Sequence, residues 1–187
     1  MKNYMRSARR RKFLALLLAA LATATFSLVF APPSQAASGY RFVNFNSLLC
    51  VQTNPANGST GIQLVQDSCT DGNGNTPPGA LWNLQSIGNA MYNIINVGNG
   101  GCLDAVTNTD FGVVETFPCT GISNQKWSFT LGPDPQTSEL IAHVAGGSRC
   151  LDVLERSSSP GATIDIFHCT SSNTNLNTAQ LFFISAV

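Results

Sequence analysis

The sequence predicts an all-β fold made of three similar copies of roughly 50 residues each. From Tyr40 onward, short runs of β-branched and aromatic residues alternate with Asn-Gly, Gly-Asn and Pro-Pro turn signals. No window in this part of the chain carries a sustained helical stripe with capping residues. Six cysteines recur at regular spacing along the same part. We therefore expect about twelve strands, four per copy, around one shared core, because a single copy is too small to bury a core alone.

The β-rich runs predict the positions of eight strands. They are expected at residues 40–44, 49–52, 62–66, 82–85, 91–96, 113–117, 140–144 and 164–167. The sequon at Asn57 is predicted to be a hairpin turn, because Asn-Gly is a preferred turn dipeptide.

Residues 1–36 have the pattern of a cleaved export signal. A cationic start is followed by an apolar run at 13–30 and by the small-x-small cleavage motif Ser34-Gln35-Ala36. Arg10 and Arg11 fit a twin-arginine signal, and they also fit an ordinary secretory signal, so both export routes stay open. Cleavage would leave a domain at 37–187, secreted from a bacterial cell. A retained membrane anchor is the weaker alternative, and no later segment is apolar enough to span a bilayer.

The charge of the chain is divided unevenly between signal and domain. Six of the ten Lys and Arg residues lie in the signal, whereas all ten acidic residues follow it. The domain therefore has a formal charge of −6 with four scattered cations. Such a surface does not follow a phosphate backbone or dock on anionic lipid, which excludes nucleic acid as the main partner and argues against membrane association.

The cysteines follow the three copies, which span about 40–86, 87–131 and 138–187. Six cysteines allow 15 pairings, and spacing alone does not choose among them. Each copy has one early and one late cysteine, 19, 17 and 19 positions apart, so the repeat symmetry favours one disulfide per copy. The predicted bridges are Cys50–Cys69, Cys102–Cys119 and Cys150–Cys169. With no Cys-x-x-Cys pair and two histidines, the sequence indicates no metal site and no cofactor.

The copies share three further features in register. They are a Cys-Leu-Asp triplet at the early cysteine, an aromatic residue before the late cysteine, and a Gln-x-Trp motif, all best kept in the second copy. In this the chain resembles the ricin B-chain type of β-trefoil lectin, which is also the family-13 type of carbohydrate-binding module. The resemblance covers residues 40–187. It implies six hairpins, three forming a short barrel and three capping it, with pseudo-threefold symmetry and a shallow sugar site in each repeat.

The resemblance assigns a complete site to the second repeat. Asp104 would accept hydrogen bonds from two neighbouring sugar hydroxyls, and Phe117 would stack under the less polar face of the ring. Asn124 would add a donor and an acceptor, while Gln125 and Glu115 would support the site. Glu115 stands where the family often has Gln, which puts its support of Asp104 in question.

The third repeat keeps most of the same set, and the first has lost it. The third has Asp152 and Phe167, with Gln180 and Asp165 in the supporting places, but Ala179 replaces the Asn. In the first repeat, Gln52 replaces the acid, Val65 the aromatic residue and Gly79-Ala80 the Asn-Gln pair, while Gln63 alone remains. Binding is therefore expected at the second and third repeats only.

The sequence thus predicts a secreted, non-enzymatic lectin-like module that binds glycans or polysaccharides, with a separate secreted enzyme as an open further partner. A protein-binding trefoil is the first alternative, such as a protease inhibitor or a toxin component, with loops 71–80 and 170–178 as its surface. A glycosidase with Asp104 and Glu115 as its carboxyl pair is the second and weaker alternative.

Overall fold

The computed structural model describes residues 39–53, 59–170 and 177–187, and within them it confirms the predicted all-β fold. The predicted signal at 1–36 lies outside the described residues, as do the predicted turn at Asn57 and most of loop 170–178. The twelve strands are β1 (Tyr40–Asn44), β2 (Cys50–Gln52), β3 (Val65–Asp67), β4 (Trp82–Gly88), β5 (Met91–Asn96), β6 (Cys102–Ala105), β7 (Gly112–Phe117), β8 (Trp127–Leu131), β9 (Ser138–Ala142), β10 (Arg149–Val153), β11 (Ile164–Phe167) and β12 (Phe182–Ala186).

Most predicted strands lie where the sequence places them, and two do not. The predictions for 62–66 and 140–144 were wrong in their bounds, since the strands run over 65–67 and 138–142. Gln63 makes an isolated bridge to Glu115 of the second repeat, so its segment pairs across repeats before β3 begins. After β9, His143 donates its backbone N–H to the carbonyl of Lys126, 3.0 Å away, and the chain turns.

The strands form a β-trefoil. Strands β1, β4, β5, β8, β9 and β12 close a six-stranded antiparallel barrel, in which β12 pairs with β1 and completes the ring. The hairpins β2–β3, β6–β7 and β10–β11 cap one end of the barrel, one from each repeat. Neighbouring caps also contact each other, since β7 pairs with β11. The closed barrel leaves no free edge in its ring of strands.

The core is shared by the three repeats, as a trefoil requires. Trp82, Trp127 and Phe182 begin the fourth strand of each repeat and are fully buried. The indole Nε1–H of Trp82 donates to the carbonyl of Val51 at 3.0 Å, and that of Trp127 donates to the carbonyl of Leu103 at 2.9 Å. Each tryptophan therefore both fills the core and ties its barrel strand to its cap hairpin.

Buried asparagines fix two of the three short 3-10 helices that precede the fourth strands. The three helices are Pro78–Ala80, Ser123–Gln125 and Thr178–Gln180. Asn96 Nδ2 donates to the carbonyl of Gly79 at 2.8 Å, and Asn44 Nδ2 donates to that of Ala179 at 3.1 Å. The first strand of one repeat thus anchors the 3-10 helix of the preceding repeat.

The disulfide prediction is confirmed, with one bridge per repeat. The pairs are Cys50–Cys69, Cys102–Cys119 and Cys150–Cys169. Each bridge joins the first strand of a cap hairpin to the second residue beyond its second strand. In the described ranges, no helix is long and apolar enough to cross a membrane.

Removing one bridge should destabilise the fold measurably. The double substitution Cys102→Ala with Cys119→Ala opens a loop of 17 residues, which the chain-entropy model values at about 3 kcal/mol. We expect the free energy of unfolding to fall by about that amount in a urea titration followed by tryptophan fluorescence. Wild type with all three disulfides reduced is the control, and its free energy of unfolding should fall by more than that of the variant, which lacks one bridge. A loss well below 1 kcal/mol would show that the bridge adds nothing to the strand pairing.

Candidate functional site

The second-repeat candidate site lies on the outer face of hairpin β6–β7. In this antiparallel pair Asp104 lies opposite Glu115, and Cys102 lies opposite Phe117. Side chains alternate between faces along a strand, so these four share one face and Leu103 lies on the other. Leu103 is fully buried in the core. The hairpin therefore brings Asp104, Glu115 and Phe117 together, as the sequence predicted.

Gln125 holds Asp104 through a fully buried side-chain amide. Its Nε2 donates to Asp104 Oδ2 at 2.9 Å and to the carbonyl of Pro118 at 3.0 Å. Its Oε1 accepts the backbone N–H groups of Thr120 at 2.8 Å and Gly121 at 3.2 Å. With both ends of the amide engaged, Gln125 fixes the carboxylate of Asp104 and the chain around Cys119 in one orientation. The glutamine is thus a positioning residue beneath the site.

Glu115 does not support Asp104 by a hydrogen bond among the described contacts. The two carboxyl groups lie on directly opposed residues, and ionised carboxylates only accept hydrogen bonds. Burial raises the pKa of Glu115, and the charge of Asp104 raises it further. Burial also raises the pKa of Asp104, although the hydrogen bond from Gln125 offsets part of that effect.

Phe117 and Asn124 form the rim of this site. The Phe117 side chain is 42% exposed, so one face of its ring is open to a ligand. Asn124 is half-buried, and its Nδ2 donates a long hydrogen bond of 3.4 Å to the carbonyl of Val106. The amide of Asn124 and the exposed ring of Phe117 therefore lie at the edge of the site, and Gln125 holds the carboxylate of Asp104 beneath them.

The third-repeat hairpin β10–β11 repeats this arrangement with two aspartates as its acid pair. Asp152 lies opposite Asp165, and Cys150 lies opposite Phe167, while Leu151 points into the core. Asp165 is only 2% exposed, and neither of its carboxyl oxygens has a hydrogen-bond partner among the described residues. Instead of supporting Asp152, Asp165 places a second buried carboxyl beside it.

Burial of this pair raises both pKa values strongly. Desolvation raises the pKa of Asp152 to about 6, against hydrogen bonds from Gln180 and Asn177 that lower it. Desolvation and then the charge of Asp152 raise the pKa of Asp165 to about 7. The two groups titrate as a pair, so the site takes up its negative charge in steps as the pH rises toward and through neutrality.

An amide that the sequence analysis missed lies at the third site. Asn177 Nδ2 is 3.4 Å from Asp152 Oδ2 and 2.8 Å from Thr170 Oγ1. Ala179 occupies the place of Asn124, as the sequence predicted, but Asn177 two positions earlier brings an amide to the acid. Gln180 Oε1 accepts the backbone N–H of Thr170 at 3.0 Å, as Gln125 does in the second repeat.

An open pocket of about 290 Å³ surrounds Asp152 and Phe167. Its remaining walls are Phe111, Glu155, Arg156, Thr170 and Asn177. Motif comparison within one repeat did not find these residues, because Phe111 comes from the second repeat and the others lie outside the three shared motifs. A comparison of the glycines would have pointed to Phe111, since it stands where the other two repeats have glycine.

The first repeat has lost the site, although its predicted register was wrong. Asp67, not Val65, lies opposite Cys50 and so occupies the place of Phe117. Val65 lies opposite Gln52, in the place of Glu115. The error follows from aligning the apolar residue instead of counting two positions back from the late cysteine. Both the acid and the aromatic residue are absent in the corrected register.

The described residues include no cluster of three or more His, Cys, Asp or Glu side chains arranged to hold a metal ion. The acids of the two candidate sites occur as pairs, Asp104 with Glu115 and Asp152 with Asp165. This arrangement suits the binding of hydroxyl groups, because a carboxylate offers two acceptor oxygens to a pair of donors.

The sequence profile of the ricin-type β-trefoil lectin domain matches this chain twice, over residues 38–135 and 90–181. Together the two matches span most of the 187 residues. No curated protein sequence matches the chain closely enough to count as a relative.

Solved structures share the trefoil fold at low sequence identity. A designed threefold-symmetric protein, ThreeFoil, matches with a TM-score of 0.67 and 22% identity over 78% of this chain and 96% of its own. The exo-β-1,3-galactanase 1,3Gal43A from Clostridium thermocellum matches with a TM-score of 0.69 and 24% sequence identity. The match covers 81% of this chain but only 30% of the enzyme. The C-half of an earthworm R-type lectin, in complex with GalNAc, matches with a TM-score of 0.59 and 15% sequence identity. The match covers 79% of this chain and 98% of the lectin half.

The acid pair of the third repeat predicts an unusual dependence of stability on pH. Both carboxyls have pKa values above the ordinary 3.8, so between about pH 4 and 7 these two groups hold more protons in the folded chain than in the unfolded chain. Their contribution to the free energy of unfolding therefore falls as the pH rises through that range. Asp165→Asn should remove much of this loss.

We expect Asp165→Asn to match wild type near pH 4.5 and to exceed it by about 1–3 kcal/mol at pH 8, because the amide stays neutral at the pH where the buried carboxyl has to ionise. Urea unfolding of both proteins at several pH values measures the difference. A difference that does not change with pH would mean that Asp165 is not titrating against its neighbour.

Proposed function

Because the chain belongs to the ricin-type β-trefoil lectin family, we propose that it is a secreted, non-catalytic carbohydrate-binding module with sites in its second and third repeats. The observation that carries the proposal is the pairing of an acid with an aromatic ring on one face of each hairpin, where Phe117 is exposed and Phe167 is half-buried. Asp104 with Phe117 and Asp152 with Phe167 form these pairs. The first repeat lacks both members.

The geometry explains how each pair would hold a sugar. A carboxylate accepts hydrogen bonds from two adjacent hydroxyls, and such charge-assisted bonds are stronger than neutral ones. The flat ring of Phe117 or Phe167 then packs against the C–H face of the pyranose. Gln125 and Gln180 hold the chain beneath each site from buried positions, so the carboxylates are oriented before the ligand arrives.

Galactose-configured sugars are the ligand class that we propose first. Their axial 4-hydroxyl leaves one ring face with C–H groups only, which suits stacking, and places the 3- and 4-hydroxyls together for a carboxylate. The names of two similar structures agree, since one is a β-1,3-galactanase and the other holds GalNAc. Two shallow sites on one domain would gain avidity on a polymer or a clustered glycan.

A catalytic role for the carboxyl pairs is not supported by their surroundings. A glycosidase needs one proton donor and one nucleophile on either side of the bond that breaks. Here the two acids of each pair lie side by side on one hairpin face. The match to 30% of the galactanase suggests a role as the binding domain beside a separate catalytic part.

Secretion is the cellular setting that fits the covalent structure. Three disulfides persist in oxidising compartments and are rare in the cytosol. Residues 1–36 supply an export signal by their sequence pattern. N-terminal sequencing of the secreted protein, with a start near Ala37, would establish the cleavage.

Replacing the two acids should abolish binding and leave the fold intact. Asp104→Asn or Asp152→Asn keeps the side-chain shape but trades one acceptor oxygen for a donor. The lost charge-assisted hydrogen bond is worth about 1.5–3 kcal/mol, or roughly a ten- to hundredfold loss of affinity at that site. Isothermal titration with β-1,3-galactan oligosaccharides and lactose, after a glycan array, measures the single and double variants.

Gln52→Met is the matched control for this experiment, because Gln52 holds the same position in the first repeat, which lacks the aromatic residue. Its binding should equal that of wild type. If the double Asp variant keeps its circular dichroism and its full affinity, the binding surface lies elsewhere.

Binding at the third repeat should strengthen as the pH rises from about 5 to 7. Asp152 has a pKa raised to about 6, and only its ionised form offers the charged acceptor that the diol needs. The Asp104→Asn variant isolates this site for titrations at pH 5, 6 and 7. The complementary Asp152→Asn variant is the comparison. If affinity in the Asp104→Asn protein is the same at all three values, the ionisation of Asp152 does not govern binding.

A further inference from the structure

We propose that the third-repeat site has a second sugar subsite, formed by Phe111 of the second repeat, and therefore prefers a chain of at least two sugar residues to a single sugar. The inference rests on the proposed function and specifies the ligand of that same site. Three observations carry it: the backbone conformation of Phe111, the contacts that fix its turn, and the angle of its ring to Phe167.

Phe111 occupies a left-handed backbone position that the other two repeats fill with glycine. Its φ is 61°, and the equivalent residues Gly61 and Gly161 have φ of 78°. The equivalence follows from the pairing of the caps, since each residue lies two positions before the one that pairs with the neighbouring hairpin. A bulky side chain at positive φ is an outlier, and such strain concentrates at functional sites.

The turn that carries Phe111 is anchored to the third repeat by Asp110. Its Oδ1 accepts the backbone N–H of His168 at 2.8 Å and pairs with Arg149 at 3.0 Å. Its Oδ2 pairs with His168 Nδ1 at 2.9 Å. The hydrogen bond from His168 holds the pKa of Asp110 below its usual value, so this carboxylate stays ionised. Asp110 is thus a positioning residue that holds Phe111 beside the third site.

The two phenyl rings form an angled wall rather than one platform. Their centroids are 5.0 Å apart and their planes differ by 52°. One flat pyranose cannot lie against both rings at that angle. Phe111 is 63% exposed, and it lines the same pocket as Asp152 and Phe167. A first sugar on Asp152 and Phe167 would therefore leave the face of Phe111 to the next residue of the chain.

The second site provides a comparison within the same molecule. Gly61 occupies the position of Phe111 beside Phe117, so that site has one ring where the third has two. The second site should bind a single sugar and an oligosaccharide of that sugar with about equal affinity, counted per terminal sugar residue. The third site should favour the oligomer.

The test uses the full mature chain with Asp104→Asn, so that only the third site reports. Phe111→Gly is the variant, because glycine is the residue of the other repeats and relieves the positive φ without filling space. Phe111→Tyr is the control, because it keeps the ring. The probes are methyl β-galactoside and β-1,3-galactotriose, measured by isothermal titration, with thermal unfolding of each protein alongside.

We expect Phe111→Gly to lose roughly two- to tenfold in affinity for the trisaccharide, the size of one aromatic contact, and to bind methyl β-galactoside as its parent does. Phe111→Tyr should keep the preference, and the melting temperature of Phe111→Gly should not fall. Equal trisaccharide affinity in Phe111→Gly and its parent overturns the second subsite. An equal loss for both probes also overturns it, since Phe111 would then belong to the first subsite. A parent that binds neither probe refutes the proposed galactose specificity and this inference together.

Discussion

The alternation of side chains in the three cap hairpins is the constraint on which both the core and the candidate sites depend. In β6, Leu103 faces the core and Asp104 faces outward, and a slip of one residue would exchange them. A slip would expose the leucine and separate the buried carboxyl of Asp104 from the amide of Gln125, so the register is strongly fixed. The bridge from Cys102 to Cys119 and the bond from Trp127 Nε1 to the carbonyl of Leu103 hold it from two sides.

The same constraint explains what the sequence could reveal. The cysteine spacing and Gln-x-Trp are local patterns, and through the family resemblance they singled out Asp104, Phe117 and Gln125 in one repeat. The structure brings these residues together on hairpin β6–β7 and the 3-10 helix that follows it. The register of the first repeat was missed because Val65 is apolar, although counting from Cys69 gives Asp67. The strand at 65–67 was misplaced because Gln63 pairs with another repeat, which no local pattern records.

Contacts between repeats account for the rest of what the sequence analysis missed. Phe111 reaches the third site only because β7 pairs with β11, and Asp110 holds it there through Arg149 and His168. Asn177 reaches Asp152 because the 3-10 helix that follows it is pinned by Asn44 from the first repeat. These placements depend on pairing between the caps and on closure of the barrel, so they follow from the tertiary fold and not from any one repeat.

Three equivalent backbones thus hold three unlike sites, and the difference lies in a few outward positions. A side chain at Gly79, where the second repeat has Asn124, would meet Thr53, so the first repeat is closed to the polar arm as well as lacking the acid. The third repeat, in contrast, buries the carboxyl groups of Asp152 and Asp165, and their ionisation lowers the free energy of unfolding. The negative charge that would bind a sugar diol is therefore also the charge that lowers the stability of the folded chain. Ligand hydroxyls would give Asp152 further donors besides those of Asn177 and Gln180, so binding and stability are linked at this one acid pair.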